Sequence, residues 1–344
     1  NNTPADGIPN SAVREIRIGK DFAYSMNKNL ESYSINKRLT SLVFNKVKLN
    51  DSAIAFREGR SYYDFLLPHK KNYKFLRLDV KSYFHSLRFR TIRNCLKPYF
   101  MDVRLSNARK GTLIDHALKY CTYLIPKNSK NSNFSERLVL PVGFPSSPII
   151  SNIIFRQVDI EIQKICHQYQ LTYTRYADDM LFSAKNSNSV IHNSIFEEEI
   201  SAFLAKLSLK LNRKKTLKKN HTLSLNGNVI AYSESGGSIR LSNKKVNLIH
   251  KITHLGLVKR ESPEFIMNKV FKVNIDNYNF KLGRDLGFFR RVCKDQLFNK
   301  VVGYRSYLLS IIQFDKKSSC LEKRYLDKYS KIIGRLDKLI ELYS

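Results

Sequence analysis

Two adjacent carboxylates, Asp178 and Asp179, stand in the middle of LTYTRYADDMLFSA at 171–184, a stretch otherwise rich in apolar and aromatic residues. It reads as two short strands joined by a tight turn at Ala177 and Asp178. Carboxylates placed side by side between apolar strands repel each other and lose hydration, and a cation is the simplest remedy. A solvated acidic turn is the plainer alternative. Residues 74–80, KFLRLDV, alternate apolar and polar positions and deliver a third acid, Asp79, to a strand end.

Beyond Pro148, the residues Ile150, Ile154, Val158, Ile162 and Ile165 recur at helical spacing. Ser194 with Glu197 three positions on forms a capping box. It precedes Phe196, Ile200, Phe203, Leu204 and Leu207, again helically spaced. The order strand, helix, hairpin, helix predicts an α+β palm. Residues 11–50 read as short basic helices, and 127–134, crowded with Ser, Asn and Lys, as a loop. From 246 to the end the chain reads as mostly helical. It closes on a basic amphipathic helix with Tyr325, Tyr329, Ile332, Leu336 and Leu339 on one side, expected to pack on its neighbours.

Sixty Lys and Arg against 29 Asp and Glu give a net charge of +31 over 344 residues, which calls for a polyanionic partner. Nucleic acid is the leading candidate, and a membrane surface is the rival. The cations run along the whole chain, where a membrane-surface cluster would be local, and no run approaches the roughly 18 apolar residues of a spanning helix. The five cysteines are widely separated, without the close pairs of a zinc site or a disulfide framework, so a reducing cytoplasm is expected.

Phosphoryl transfer from a nucleoside triphosphate uses two divalent cations held by converging carboxylates, and magnesium is satisfied by a few hard oxygens plus substrate phosphates. Asp79 at a strand end and Asp178 in a hairpin turn suit this. The wording itself resembles a known family. Tyr176, Ala177, Asp178 and Asp179 spell YADD, which resembles motif C of reverse transcriptases. LRLDVKSYFHSL at 76–87 resembles motif A, LPVGFPSSPIISN at 140–152 motif B, and LNRKKT at 211–216 motif D. The resemblance implies an RNA-directed DNA polymerase with fingers, palm and thumb. Fingers and palm are expected over 1–245 and a helical thumb over 246–344.

Carried over box by box, the resemblance makes Asp79, Asp178 and the Val80 backbone ligands of two magnesium ions, with Asp179 the supporting carboxylate. Phe84, five residues after Asp79, falls at the steric gate against the ribose 2′-hydroxyl, with Tyr83 the second candidate. Gly143, Phe144 and Pro145 form a constrained loop bearing on the templating base, while Ser147 and Asn152 belong to the helix that follows. Tyr176 is a substrate-binding candidate beside the acids. Lys215 matches the lysine that protonates departing pyrophosphate, and Arg57 and Arg60 in AFREGRS match fingers residues that grip the triphosphate. A core aromatic for Phe84, a solvated basic loop for Arg57 and Arg60, and a phosphate-facing patch for Lys215 are the structural alternatives.

Compact chains of this kind resemble bacterial retron reverse transcriptases and the Abi and unknown-group enzymes of phage defence. Val142 stands where retron enzymes usually carry Gln, and NVIAYSESGGSIRLS lacks their Val-Thr-Gly signature. Both departures favour the defence-associated group. The implied partners are deoxynucleotides, a noncoding RNA serving as template or scaffold, a DNA product, and a second copy or an accessory defence protein. Retron-style synthesis of RNA-linked DNA, template-independent or protein-primed synthesis, and a noncatalytic RNA-binding scaffold are the alternatives.

Overall fold

The computed structural model describes residues 7–103, 111–234, 236–274 and 286–344. They divide into two compact units, 1–68 with 74–219 and 69–73 with 220–344.

The first unit opens with a hairpin of β1 (Val13–Ile18) and β2 (Asp21–Met26), followed by α1 (Glu31–Leu42) and α2 (Tyr62–Leu66). The expectation of helices from residue 11 is corrected here. VREIRI alternates, and Gly19, at a φ of +62°, supplies the turn that folds the alternation back on itself. β1 buries no residue, so its period of two carries little hydrophobic contrast. Next come β3 (Lys74–Asp79), α3 (Tyr83–Ser86), α4 (Phe89–Leu96), α5 (Leu113–Cys121), β4 (Tyr123–Leu124) and β5 (Leu138–Val139). The unit ends with α6 (Ser147–Gln168), β6 (Thr172–Tyr176), β7 (Asp179–Ala184), α7 (Ser194–Ala205) and β8 (Leu217–Asn220).

Among the described residues a four-stranded sheet runs in the order β6, β7, β3, β8. Strand β7 pairs antiparallel with both β6 and β3, in a register that sets Leu76 opposite Phe182, Leu78 opposite Met180 and Asp79 opposite Asp179. Side chains alternate across a strand. Leu76, Leu78, Met180 and Phe182 therefore enter one core with Ile150, Ile154, Val158 and Ile162 of α6, while Arg77, Asp79 and Asp179 take the other face. α7 is capped by Asn193, whose carboxamide oxygen accepts from the Ile195 N–H at 3.4 Å. The expected capping box on Ser194 is thus displaced by one residue, and Glu197 pairs with Lys218 at 2.5 Å.

In the second unit β9 (Thr222–Leu225), β10 (Asn228–Ala231) and β11 (Ser238–Leu241) form an antiparallel sheet in the order β11, β10, β9. Asn226 and Gly227, both at positive φ, make the two-residue turn between β9 and β10. Helices α8 (Asn243–Thr253), α9 (Pro263–Phe271), α10 (Leu286–Ser318) and α11 (Lys323–Tyr343) follow. Tyr329, Ile332, Leu336 and Leu339 of α11 are buried, as expected of a packing helix. The Tyr329 hydroxyl accepts from the Leu241 N–H at 2.9 Å, joining α11 to β11. Because such contacts bind the small sheet to the helices, the units part at Lys219 and Asn220, whereas the division expected at 245/246 falls inside α8.

His69 is fully buried, and burial pulls its imidazole down to about 3, so it folds neutral. Between that value and about 6.5 the unfolded chain binds the extra proton, so stability falls as pH falls through this window. Chemical denaturation from pH 7 to pH 4 should show this loss, and His69→Asn should flatten part of the slope.

Candidate active site

The two-residue turn Ala177–Asp178 closes the β6–β7 hairpin, and Ala177 sits at a φ of +56°, a conformation that strains a residue with a Cβ. Arg175 holds it there. This side chain is fully buried and its Nη1 donates to the Ala177 carbonyl at 3.0 Å and to Asn152 Oδ1 at 3.0 Å. Its Nε and Nη2 grip the two oxygens of Asp159 at 2.9 and 2.8 Å, and the guanidinium lies 4.3 Å from the centre of the Phe155 ring. The Tyr173 hydroxyl donates to Asp159 at 2.7 Å, and the Asn152 amide donates to the Ala55 carbonyl at 2.8 Å. Residues 52–54 complete the arrangement along β6, with Arg175 N–H donating to Ser52 and Ile54 N–H to Arg175.

Asp79, at the end of β3, is 2 % exposed. The Val80 N–H donates to the Asp178 carbonyl at 3.1 Å, which ties the strand end to the turn. Asn212 donates to the Asp79 carbonyl at 2.7 Å and Lys81 to the Lys210 carbonyl at 2.9 Å, so residues 210–212 run alongside 79–81. This zippering brings Lys215 Nζ to 3.1 Å from Asp79 Oδ2. Arg77 Nε donates to Asp179 Oδ1 at 3.0 Å, and its Nη2 stands 3.7 Å from Asp79.

The three expected acids and Lys215 are therefore gathered at one edge of the sheet, with Arg77 and Lys215 as the counter-charges. Asp178 is left with the largest electrostatic deficit. Burial and the neighbouring Asp179 and Asp79 push its carboxyl up to about 6, and burial raises Asp179 despite Arg77. Among the described residues no three His, Cys, Asp or Glu side chains form a preassembled cation cage. The donors nevertheless fit a divalent ion: they are hard oxygens, converging, short of positive charge, and magnesium needs only part of its shell from protein.

The remaining candidates separate into those at the surface and those in the frame. Phe84 is half-buried, with its ring centre 6.3 Å from Phe56. Tyr83 is buried and its hydroxyl donates to the Ser151 carbonyl at 2.9 Å, a strut rather than a second gate. Gly143 has a φ of +106°, and a Cβ there would meet the Tyr24 carbonyl oxygen at 2.7 Å. Phe144, Ser147 and Asn152 are buried, while Pro145 is half-buried. Asn152, expected to touch substrate, is instead committed to Arg175 and Ala55. Tyr176 packs between Tyr62 and Phe65 at ring distances of 5.0 and 5.8 Å. Arg57 donates to the Asn50 and Ala53 carbonyls at 3.1 and 3.2 Å, and exposed Arg60 lies 3.5 Å from Asp64. Arg77, Asp159 and Arg175 were missed at the level of sequence. Asp159 carried a signal: it is an acid on the stripe formed by Phe155, Val158 and Ile162.

Residues 26–257 match the family described as reverse transcriptase (RNA-dependent DNA polymerase). The chain is 27 % identical over 224 residues to the retron Ec83 reverse transcriptase of Escherichia coli, covering 65 % of this chain and 62 % of that one. It is 32 % identical over 146 residues to the retron Ec73 reverse transcriptase of Escherichia coli, covering 41 % and 42 %. The aligned stretches thus span less than two thirds of these relatives' lengths. A telomerase structure from Candida albicans, with a TWJ fragment of telomeric RNA, aligns at a TM-score of 0.45 and 12 % identity, covering 98 % of this chain and 66 % of that chain. With the match running from β2 through the acids of β3 and the β6–β7 turn to α8, the chain belongs to the reverse transcriptase family.

Proposed function

We propose that this protein is an RNA-directed DNA polymerase that adds deoxynucleotides to a 3′ end. The observation that carries the reading is the gathering of Asp79, Asp178, Asp179 and Lys215 at one sheet edge. Reverse transcriptases as a family use divalent metals. In this reading Asp79, Asp178 and the Val80 carbonyl hold two magnesium ions, and Asp179, anchored by Arg77, keeps the turn's charge in place. When bound, such ions lower the barrier by activating the attacking 3′ oxygen and neutralising charge on the triphosphate.

The chain's own residues supply the rest. The 3′ hydroxyl loses its proton to solvent, and its oxygen forms a bond to the α-phosphorus as the bond to pyrophosphate breaks. Lys215, on a side chain 55 % exposed, carries the proton that the leaving pyrophosphate takes from Nζ. Its ion pair with Asp79 keeps the ammonium at the site between turnovers. Phe84 bars the ribose 2′-hydroxyl, and Gly143, Phe144 and Pro145 bear on the templating base. Arg60 is the better presented of the two triphosphate-gripping candidates, because Arg57 is engaged by backbone carbonyls. The helical region 246–344 serves as thumb. A structured noncoding RNA as template or scaffold and a place in antiphage defence complete the reading, supported by the +31 charge and by the resemblance of the motifs. The retron relatives favour RNA-linked DNA as the product to look for first.

Asp79→Ala and Asp178→Asn should each lower deoxynucleotide incorporation by roughly 10³-fold or more in primer extension, with unfolding temperature largely retained. Near-normal incorporation by a folded double variant would remove the assignment. Phe84→Ala should raise ribonucleotide use relative to deoxynucleotide use by about 10-fold, or about 1.4 kcal/mol of discrimination, read from competing single-nucleotide additions. An unchanged ratio in an active variant would place the gate elsewhere.

A further inference from the structure

Two cavities of the first unit share part of their lining, and one of them runs along the motif A segment that follows β3. One, of about 770 Å³, is lined by Lys81, Arg88, Arg137 and Lys210 among others. The second, of about 520 Å³, shares Arg88, Ser208 and Lys210 with the first and adds Arg213. Neither lining contains a carboxylate, and these five cations are not held by one among the described residues. That is costly in a chain of +31 unless an anion neutralises the groove. The cations are all exposed, so their charge reaches the groove without desolvation.

The floor is aromatic. Phe134 is half-buried, with the Arg137 guanidinium 5.9 Å from its ring centre. His85 lies beneath, 5.4 Å from Phe134 and 5.6 Å from Tyr24, and its Nε2 is buried with no hydrogen-bond partner among the described residues. Strung cations beside a stacking ring are what a single nucleic-acid strand requires: phosphates follow the charges while a base lies on the aromatic face. A free phosphate or nucleotide would need the cations to converge on one point, whereas here they extend through two cavities.

We propose that this carboxylate-free groove is a second nucleic-acid site, which takes a single-stranded RNA segment by its phosphates with a base against Phe134. The proposal rests on the polymerase reading only in presuming a nucleic-acid partner. Lys81 of its lining lies two residues beyond Asp79, so the groove neighbours the acids in sequence while containing none of them.

The test is fluorescence anisotropy with an unstructured 20-nucleotide RNA between 50 and 200 mM salt, alongside deoxynucleotide incorporation on a saturating primer and template. Arg88→Glu/Arg137→Glu should weaken RNA binding at least 10-fold at 100 mM salt and reduce the slope of log affinity against log salt by about 1.4, or about 0.7 for each lost phosphate contact. Arg88→Lys/Arg137→Lys should retain most of the affinity, and the KM for deoxynucleotide should be unchanged in both. Lys164→Glu/Lys185→Glu removes the same charge from exposed positions lining neither cavity and should have a much smaller effect. An equal effect from that pair would overturn the proposal in favour of bulk charge. A raised KM for deoxynucleotide with RNA affinity intact would overturn it in favour of a free-nucleotide site. Loss of incorporation in Asp79→Ala with the groove's RNA affinity retained leaves the two sites independently assessed, and the groove stands.

Discussion

The buried pair Arg175 and Asp159 is the constraint from which the rest of the site follows. A guanidinium out of water costs several kcal/mol unless its hydrogen bonds are filled, and here the donors go to Asp159, Asn152 and the Ala177 carbonyl. The last of these matters most. It fastens the residue before Asp178 in a left-handed conformation that an alanine does not adopt unaided. The network also collects segments distant in sequence: Asp159 and Asn152 from α6, Tyr173 and Arg175 from β6, and Ala55 from the strand-edge segment. Asp159→Ala should therefore cost about 3–5 kcal/mol in urea denaturation by leaving a buried charge unpaired, and a further Arg175→Met change should restore part of it.

Charge balance at the sheet edge follows the opposite rule. Arg175 is satisfied completely, whereas the acids of the edge are satisfied only in part. Lys215 and Arg77 supply two positive charges to three carboxylates, and Lys215 reaches in from a half-exposed position that it can leave. An electrostatic deficit facing a rigid scaffold is the condition under which a cation binds without reorganising the protein. The rigid part and the deficient part are neighbours across one hairpin, since Arg175 of β6 and Asp179 of β7 flank the same turn.

What could be read from the sequence divides along that line. The positions of Asp79 at a strand end and of Asp178 in a hairpin turn were legible because the strand pattern fixes them. The α6 stripe was legible because burial repeats every three to four residues. Arg175 was not, because in TYTRY it reads as one polar position of an alternating strand, and only the tertiary fold sets Asp159 opposite it. Asn152 was assigned to substrate for the same reason: its motif position was visible and its burial was not. The β1–β2 hairpin was missed because β1 buries no residue, which removes from the first strand the contrast that marks a strand, although β2 buries Ala23, Tyr24 and Met26.

The scarcity of acids sharpens the meaning of those that remain. Asp115, Asp159, Glu161, Glu197 and Asp337 are each engaged by an arginine or lysine, so these acids stand where the fold sets a counter-charge. Asp115 shows the pattern in full: Arg93 holds its carboxyl well below the usual range, and it also caps α5 through Thr112. Asp178 differs in kind: it is a largely buried carboxylate with no ion pair among the described residues, and its pKa is displaced upward where that of the structural acid Asp115 is displaced downward. The unbalanced cations make the complementary statement. Most of the excess of +31 has no acid to meet it within the chain, and it destabilises the folded state through self-repulsion until a polyanion is present. A ligand that binds only the folded state stabilises it, so a polyanion that neutralised these cations would raise the stability of the fold.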